Sequence, residues 1–149
     1  MKAYSIKSAL IVGALASVLQ ADASTDYGPA VWRPVCDGKW YTTGSGKQFY
    51  VIHDMEGYYL TGISYLQRCD ISTSVHYAVN GLSDTGSDAA PGEVSQLVRD
   101  TYYAWHARCW NQYSMGTEHE GFASNPAWFT DEMYDASAAL TKSKADKYG

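Results

Sequence analysis

Blocks of apolar residues separated by polar turns define the predicted elements in the first half of the chain. Residues 48–53 are mostly β-branched or aromatic, which is typical of a buried strand. A turn at 54–57 follows, and the segment 58–67 is predicted to be a helix. The core is therefore predicted to begin with a strand followed by a helix.

Two further strands are predicted in the middle of the chain. Residues 74–80 alternate as a strand does, so successive side chains point to opposite faces. One face consists of Val75, Tyr77 and Val79. A polar loop at 81–92 separates this strand from 93–98, which is short enough to be its hairpin partner.

The strand predicted at 114–121 carries charged side chains. Alternation places Glu118 and Glu120 on one face of this strand and His119 on the other. The preceding segment, 101–110, is aromatic without a clear period and is predicted to be irregular.

The chain ends in a predicted helix over residues 131–147. Thr130 precedes two acidic residues, which is the pattern of an N-cap with negative charge in the first turn. Strands and helices in this mixed order predict an α/β (α+β) domain with a single mixed central sheet flanked by helices.

The first 23 residues have the pattern of a secretory signal peptide. Lys2 and Lys7 precede an apolar run at 9–19, and small residues end at Ala23, where cleavage is expected. The run is shorter than the roughly 20 residues that a membrane-spanning helix needs, so no stable membrane span is expected. The mature protein is predicted to be secreted, with an irregular lead-in at 24–46.

The composition and charge disfavour two classes: disordered chains and nucleic-acid-binding proteins. The 149 residues are 46% hydrophobic, which is far above the content of a disordered chain. The net charge of −5 comes without runs of Lys or Arg, so a nucleic acid is not an expected partner.

The cysteines number three, at Cys36, Cys69 and Cys109. Disulfides can form in an exported domain. The favoured interpretation is therefore one disulfide bridge plus a buried thiol. A second interpretation is that a partner cysteine is missing from this sequence. A catalytic cysteine is disfavoured because no basic pocket surrounds any of the three.

Four residues are candidates for a functional site. His53 ends a predicted strand, where binding groups are often displayed, although such a histidine is more often structural. Glu118 lies inside a strand, where a carboxylate is costly unless it is paired, functional or on a solvated edge. Trp105 and His106 together form either a binding surface or part of the core.

Five ordered segments resemble a known enzyme family, the type 2 N-acetylmuramoyl-L-alanine amidases. The segments are VIHDMEG (51–57), SVHYAVNG (74–81), GEVSQLVRD (92–100), YAWHARCWN (103–111) and SMGTEHEGF (114–122). This family is zinc-dependent and is related to phage lysozyme-type amidases and to peptidoglycan recognition proteins. The resemblance covers about residues 47–148 and implies the fold of those proteins.

The resemblance also implies roles for individual residues. His53 matches the first zinc ligand, and Glu118 matches the glutamate that acts on the zinc-bound water. His106 lies where the family lines its substrate groove, with Trp105 beside it as a second substrate-binding residue. His76 is not expected to be a ligand. The implied substrate is the amide between N-acetylmuramic acid and L-alanine in peptidoglycan.

The chain departs from the family pattern after its last predicted helix. The resemblance implies two further zinc ligands, a His and an Asp or Cys, on a strand and loop beyond that helix. We therefore expect residues 47–149 to be the N-terminal part of an amidase domain that lacks this strand and loop. The alternative expectation is a catalytically incomplete muropeptide-binding fragment or a truncated remnant.

Overall fold

A computed structural model describes residues 24–82 and 89–149. The predicted signal peptide lies outside this part of the chain. Its strands are β1 (Val31–Trp32), β2 (Trp40–Tyr41), β3 (Phe49–Asp54), β4 (Tyr77–Val79), β5 (Val94–Gln96), β6 (Tyr103–Ala104) and β7 (Ser114–His119). Its helices are α1 (Tyr59–Leu66) and α2 (Asp131–Tyr148), with 3-10 turns at Arg108–Tyr113 and Pro126–Trp128. Neither α-helix in the described ranges is long and apolar enough to cross a membrane.

Five of the strands form one mixed sheet in the order β1-β5-β4-β7-β3. The pairs β3–β7, β4–β7 and β1–β5 are parallel, whereas β4–β5 is antiparallel. The hairpin partnership predicted for the two middle strands is therefore confirmed. The remaining strands, β2 and β6, form a small antiparallel pair.

The sheet separates two hydrophobic clusters, and the alternation of β4 explains why. Ala78 packs with the buried residues of α1, whereas Tyr77 and Val79 pack with those of α2. The mixed sheet flanked by helices that the sequence predicted is thus confirmed. The face predicted for Val75 is wrong, because this residue lies before β4 and packs in the α1 cluster.

The two helices begin in different ways. Thr130 Oγ1 accepts a hydrogen bond from Met133 N at 3.2 Å, which confirms the predicted N-cap of α2. The N-cap of α1 makes no such side-chain bond. The buried carboxylate of Glu120 accepts hydrogen bonds from Tyr59 N at 2.8 Å and Gly81 N at 2.9 Å instead. A negative charge at the start of α1 is also favourable to the helix dipole.

The lead-in segment is tied to the domain in two places. It was predicted to be irregular, but it contributes β1, which extends the sheet by pairing with β5. A disulfide bridge joins Cys36 to Cys69, just after α1. Cys109 is free and exposed, so the prediction of a buried thiol is wrong. The reason is that the 3-10 turn carrying Cys109 runs along the surface.

A buried ion pair anchors α2 to the loop that follows β5. Lys144 Nζ lies 2.9 Å from Asp100 Oδ2, and both side chains are almost completely buried. Tyr77 donates a hydrogen bond to the other carboxylate oxygen at 2.7 Å. Burial alone would raise the pKa of Asp100, but these partners lower it below its ordinary value.

This network predicts a large difference between two lysines of one helix. Lys144→Met should lower the free energy of unfolding at pH 7 by about 3 kcal/mol, because it leaves a buried carboxylate poorly compensated. The matched control is Lys142→Met, which removes an exposed pair with Asp146 and should cost about 0.5 kcal/mol or less. Urea denaturation measures both values. Equal small losses would show that the buried pair does not anchor α2.

Candidate active site

The candidate site lies where β3 and β7 end. Their parallel register places His53 opposite Glu118 and Asp54 opposite His119. Glu118 is also paired in register with Ala78, which faces α1. His53 and Glu118 therefore share the α1 face of the sheet. His119 points to the other face, as the alternation predicted, and its Nε2 lies 2.7 Å from Ser137 Oγ of α2.

The carboxyl group of Glu118 is chemically unusual. Its Oε2 atom is buried and makes no hydrogen bond within the described residues. Burial, followed by the nearby negative charge of Asp54, raises the pKa of this group to about 7. A carboxyl group with this pKa is able to hold or release a proton near neutral pH.

Glu120 differs sharply from Glu118 although both were predicted on one strand face. The Glu120 carboxylate accepts hydrogen bonds from the backbone N–H groups of Tyr59 and Gly81. Glu118, in contrast, lines an open cavity.

His106 lies against His53. His53 Nε2 and His106 Nδ1 are 3.0 Å apart, and the two rings meet edge to face. The far nitrogen of His106, Nε2, lies 3.1 Å from Ser114 Oγ. Burial lowers the pKa of His53. Burial, followed by the charges of His53 and Lys47, lowers the pKa of His106 to about 4.

Gly116 is what allows His106 to lie this close to the sheet. A Cβ atom at Gly116 would be 2.4 Å from His106 Nδ1, which is closer than any real contact. The ring therefore rests on bare backbone between its two side-chain partners. Any larger residue at position 116 would displace it.

Both ring nitrogens of His76 contact backbone groups. Its Nδ1 accepts a hydrogen bond from Gly116 N at 3.1 Å, and its Nε2 lies 3.1 Å from the carbonyl oxygen of Tyr102. The ring is completely buried, and burial followed by the charge of Lys47 holds its pKa well below the ordinary value. This histidine supports the floor of the site and offers no free nitrogen to a ligand.

The site opens into two neighbouring cavities. The first, of about 500 Å³, is bounded by α1, Thr73, Glu118 and Phe122. The second, of about 460 Å³, is bounded by Thr73, Trp105, His106 and Arg108. Thr73 lines both, so the two cavities are adjacent on the α1 side of the sheet, and together they are called the cleft below.

Sequence reasoning missed three residues of this site. Ser114 begins a predicted strand, where a serine is an ordinary residue, and Thr73 lies in a segment with no recognisable chemical pattern. Arg108 lies in an aromatic segment, yet it adopts a positive φ of 52°, which is uncommon for any residue but glycine. Sequence patterns carry no signal for backbone conformation at such a position.

The comparisons with known proteins agree on one family. The family model described as N-acetylmuramoyl-L-alanine amidase matches residues 44–149. N-acetylmuramoyl-L-alanine amidase A of Achromobacter lyticus is 32% identical over 126 residues, which is 85% of this chain and 67% of that protein. The chain belongs to the N-acetylmuramoyl-L-alanine amidase family.

Solved structures of similar fold are more distant in sequence. AmpD matches with a TM-score of 0.58 and 19% identity, over 82% of this chain and 76% of AmpD. AmpDh3 from Pseudomonas aeruginosa, in complex with anhydromuramic pentapeptide, has a TM-score of 0.58, 20% identity and 70% coverage of this chain. The match spans 47% of the AmpDh3 chain. These likenesses establish that the amidase family fold is present here.

Zinc is the metal that family resemblance implies, and a catalytic zinc needs three protein ligands and one open position. Within residues 24–82 and 89–149, no group of three His, Cys, Asp or Glu side chains is placed to hold a metal ion. His53 is the histidine expected to be a ligand, and Glu118 has a free oxygen on the same face. The described residues therefore do not fit a complete catalytic zinc site of this amidase family.

The raised pKa of Glu118 predicts a pH-dependent effect on stability. Because the folded-state pKa of about 7 exceeds the ordinary 4.5, wild-type stability should fall as the pH rises between these values. Glu118→Gln removes this penalty. At pH 8 the variant should be more stable by about 1–3 kcal/mol, and at pH 4 the two proteins should match. Thermal denaturation at both pH values measures this, and a variant less stable at both would contradict it.

Proposed function

We propose that this protein is an N-acetylmuramoyl-L-alanine amidase that hydrolyses the amide between N-acetylmuramic acid and L-alanine in peptidoglycan. The observation that carries the proposal is Glu118, a carboxyl group with a raised pKa beside His53 in an open cleft. Membership of the amidase family supports it.

The cleft is proposed to bind a muropeptide. Similar folds occur in AmpDh3 with anhydromuramic pentapeptide and in AmiD from E. coli with anhydro-N-acetylmuramic acid-L-Ala-D-γ-Glu-L-Lys. AmiD matches with a TM-score of 0.53 and 21% identity, over 78% of this chain and 48% of AmiD. Aromatic side chains at the cleft, including Tyr58, Phe122 and Trp105, provide apolar surface for a sugar or peptide stem.

Glu118 supplies the proton transfers that amide hydrolysis requires. Its ionised carboxylate takes a proton from the attacking water as the new C–O bond forms. The protonated carboxyl then gives that proton to the nitrogen of L-alanine as the C–N bond breaks. A pKa near the working pH suits both steps, because the group must accept a proton and then release it.

Zinc dependence is a further part of the proposal. A zinc ion held by His53 and two further protein ligands would polarise the scissile carbonyl and make the attacking water easier to deprotonate. His53 is the ligand proposed from the described residues, and two more protein ligands are needed.

We also propose that the protein is exported. The signal-peptide pattern at 1–23 is the basis. The Cys36–Cys69 bridge supports it, because disulfides persist mainly in oxidising compartments.

A second candidate function is muropeptide binding without hydrolysis. The incomplete donor set within the described residues favours it, because a protein with one zinc ligand would retain the cleft and lose the chemistry. The two candidates share a ligand and differ in turnover.

Hydrolysis is tested by incubating a form of the protein that carries two further zinc ligands, a His and an Asp or Cys, with zinc and muropeptides and counting new L-alanine amino termini. Glu118→Gln should lower turnover by about 10²–10⁴-fold while zinc content stays unchanged, since it removes a proton-transfer group. His53→Ala should lose the metal itself. Unchanged turnover in Glu118→Gln would return Glu118 to a structural role, and equal zinc loss in both variants would make it a ligand.

Binding is tested by sedimenting the protein with peptidoglycan sacculi. Wild-type protein should sediment in a saturable manner, and Trp105→Ala should release it by removing cleft surface. Tyr134→Ala is the control, because Tyr134 is exposed on α2, the helix that packs on the other face of the sheet. Sedimentation without new amino termini would support the binding function over hydrolysis. Equal sedimentation of all three proteins would exclude the cleft as the binding surface.

A further inference from the structure

A chain of side-chain hydrogen bonds connects His53 to the backbone beneath the site. His53 Nε2 contacts His106 Nδ1 at 3.0 Å, and His106 Nε2 contacts Ser114 Oγ at 3.1 Å. Ser114 Oγ in turn lies 2.8 Å from the carbonyl oxygen of Trp110. The chain therefore has four members and ends on a group that accepts hydrogen bonds but never donates them.

That terminal carbonyl fixes the position of every proton in the chain. Ser114 has one hydroxyl proton, which it donates to Trp110 O. Its oxygen is then the acceptor for His106, so His106 carries a proton on Nε2. A neutral imidazole has one N–H, so His106 Nδ1 is an acceptor. The proton between the two rings therefore belongs to His53 Nε2.

The opposite arrangement would require His106 to be a cation. It would then carry protons on both nitrogens, in a ring that lies against His53 and near Lys47. A charged imidazole is costly to bury without an anionic partner, and the two side chains that its nitrogens contact, His53 and Ser114, supply none. Neutral rings are thus the consistent assignment.

We propose that Ser114 and His106 are positioning residues that hold His53 in the Nε2–H tautomer and leave Nδ1 as its basic nitrogen. His53 Nδ1 makes no hydrogen bond within the described residues, so it is available to a ligand or substrate. The hydrogen bond at one ring nitrogen decides which nitrogen of a histidine is free to bind.

The packing around His106 supports a positioning role. The ring rests on Gly116 at a distance that leaves no room for a Cβ atom. It also meets the buried ring of His76 edge to face at 5.7 Å between centroids. His76 is itself held by backbone groups on both nitrogens, so the surface under His106 is fixed.

The importance of these hydrogen bonds for catalysis rests on the proposed function. The hydrogen bonds themselves do not depend on it. His106 was predicted from family resemblance to bind substrate. In the structure, both of its nitrogens contact other side chains, those of His53 and Ser114, although the residue lines a cavity. Its effect on the reaction would therefore be exerted through His53.

The test is long-range ¹H–¹⁵N spectroscopy of the full chain labelled at histidine, recorded at pH 7.5 without substrate. The coupling pattern of each ring identifies its protonated nitrogen. Wild-type His53 and His106 should both show the Nε2–H pattern. A wild-type His53 in the Nδ1–H form would overturn the proposal without any variant, and amidase activity does not enter the measurement.

Three serine variants complete the test. Ser114→Ala should cause His53 to lose its single-tautomer pattern, and Ser114→Thr should restore it because the hydroxyl returns. Ser137→Ala is the matched control, since it removes a buried serine contact to His119 on the opposite face and should leave His53 unchanged. An unchanged His53 pattern in Ser114→Ala, or an equal change in Ser137→Ala, would overturn the proposal.

Discussion

The parallel pairing of β3 with β7 is the interaction on which the candidate site depends. It aligns residue with residue from Phe49 beside Ser114 to Asp54 beside His119. Because parallel strands end at the same edge of a sheet, their last side chains meet there. A shift by one residue would move His53 to the α2 face and separate it from Glu118. The register of this one strand pair thus determines the chemistry of the cleft.

The same strand shows how environment separates two identical side chains. Glu120 accepts hydrogen bonds from two backbone N–H groups and stabilises the start of α1. Glu118 has a buried oxygen without such a partner, and its ionised form is destabilised. A destabilised carboxylate is typical of sites where a group must exchange protons. The fold therefore contains a carboxyl group whose ionised form is destabilised, Glu118, two residues before one that stabilises a helix, Glu120.

Much of the fold was predictable because its signals are local. The apolar run that became β3, the alternation that separated Glu118 from His119, and the cap at Thr130 each depend on neighbouring residues. The pairing of β1 with β5 was not predictable, since β1 has two residues and its partner lies far along the chain. The exposed thiol of Cys109 was missed for a similar reason: the path of a surface turn is set by tertiary contacts.

The candidate site was predictable only in part. His53 was noted because it ends a predicted strand and Glu118 because a carboxylate inside a strand is costly, and their roles were implied by the family resemblance. Ser114 was missed because a serine at the start of a strand is ordinary, and its contact with His106 follows from the fold.

The Cys36–Cys69 bridge also has a consequence for the unfolded ensemble. It closes a covalent ring with a sequence separation of 33, and His53 lies inside that ring whereas Glu118 lies outside it. Chain-entropy arguments give a ring of this size a stabilising effect of about 4 kcal/mol, against a typical total of about 5–15 kcal/mol for a domain. Reduction of the bridge would therefore release conformational freedom to the part of the chain that carries His53. Reduction would thus lower the free energy of unfolding and raise the fraction of unfolded molecules, in which the histidine and the glutamate are apart.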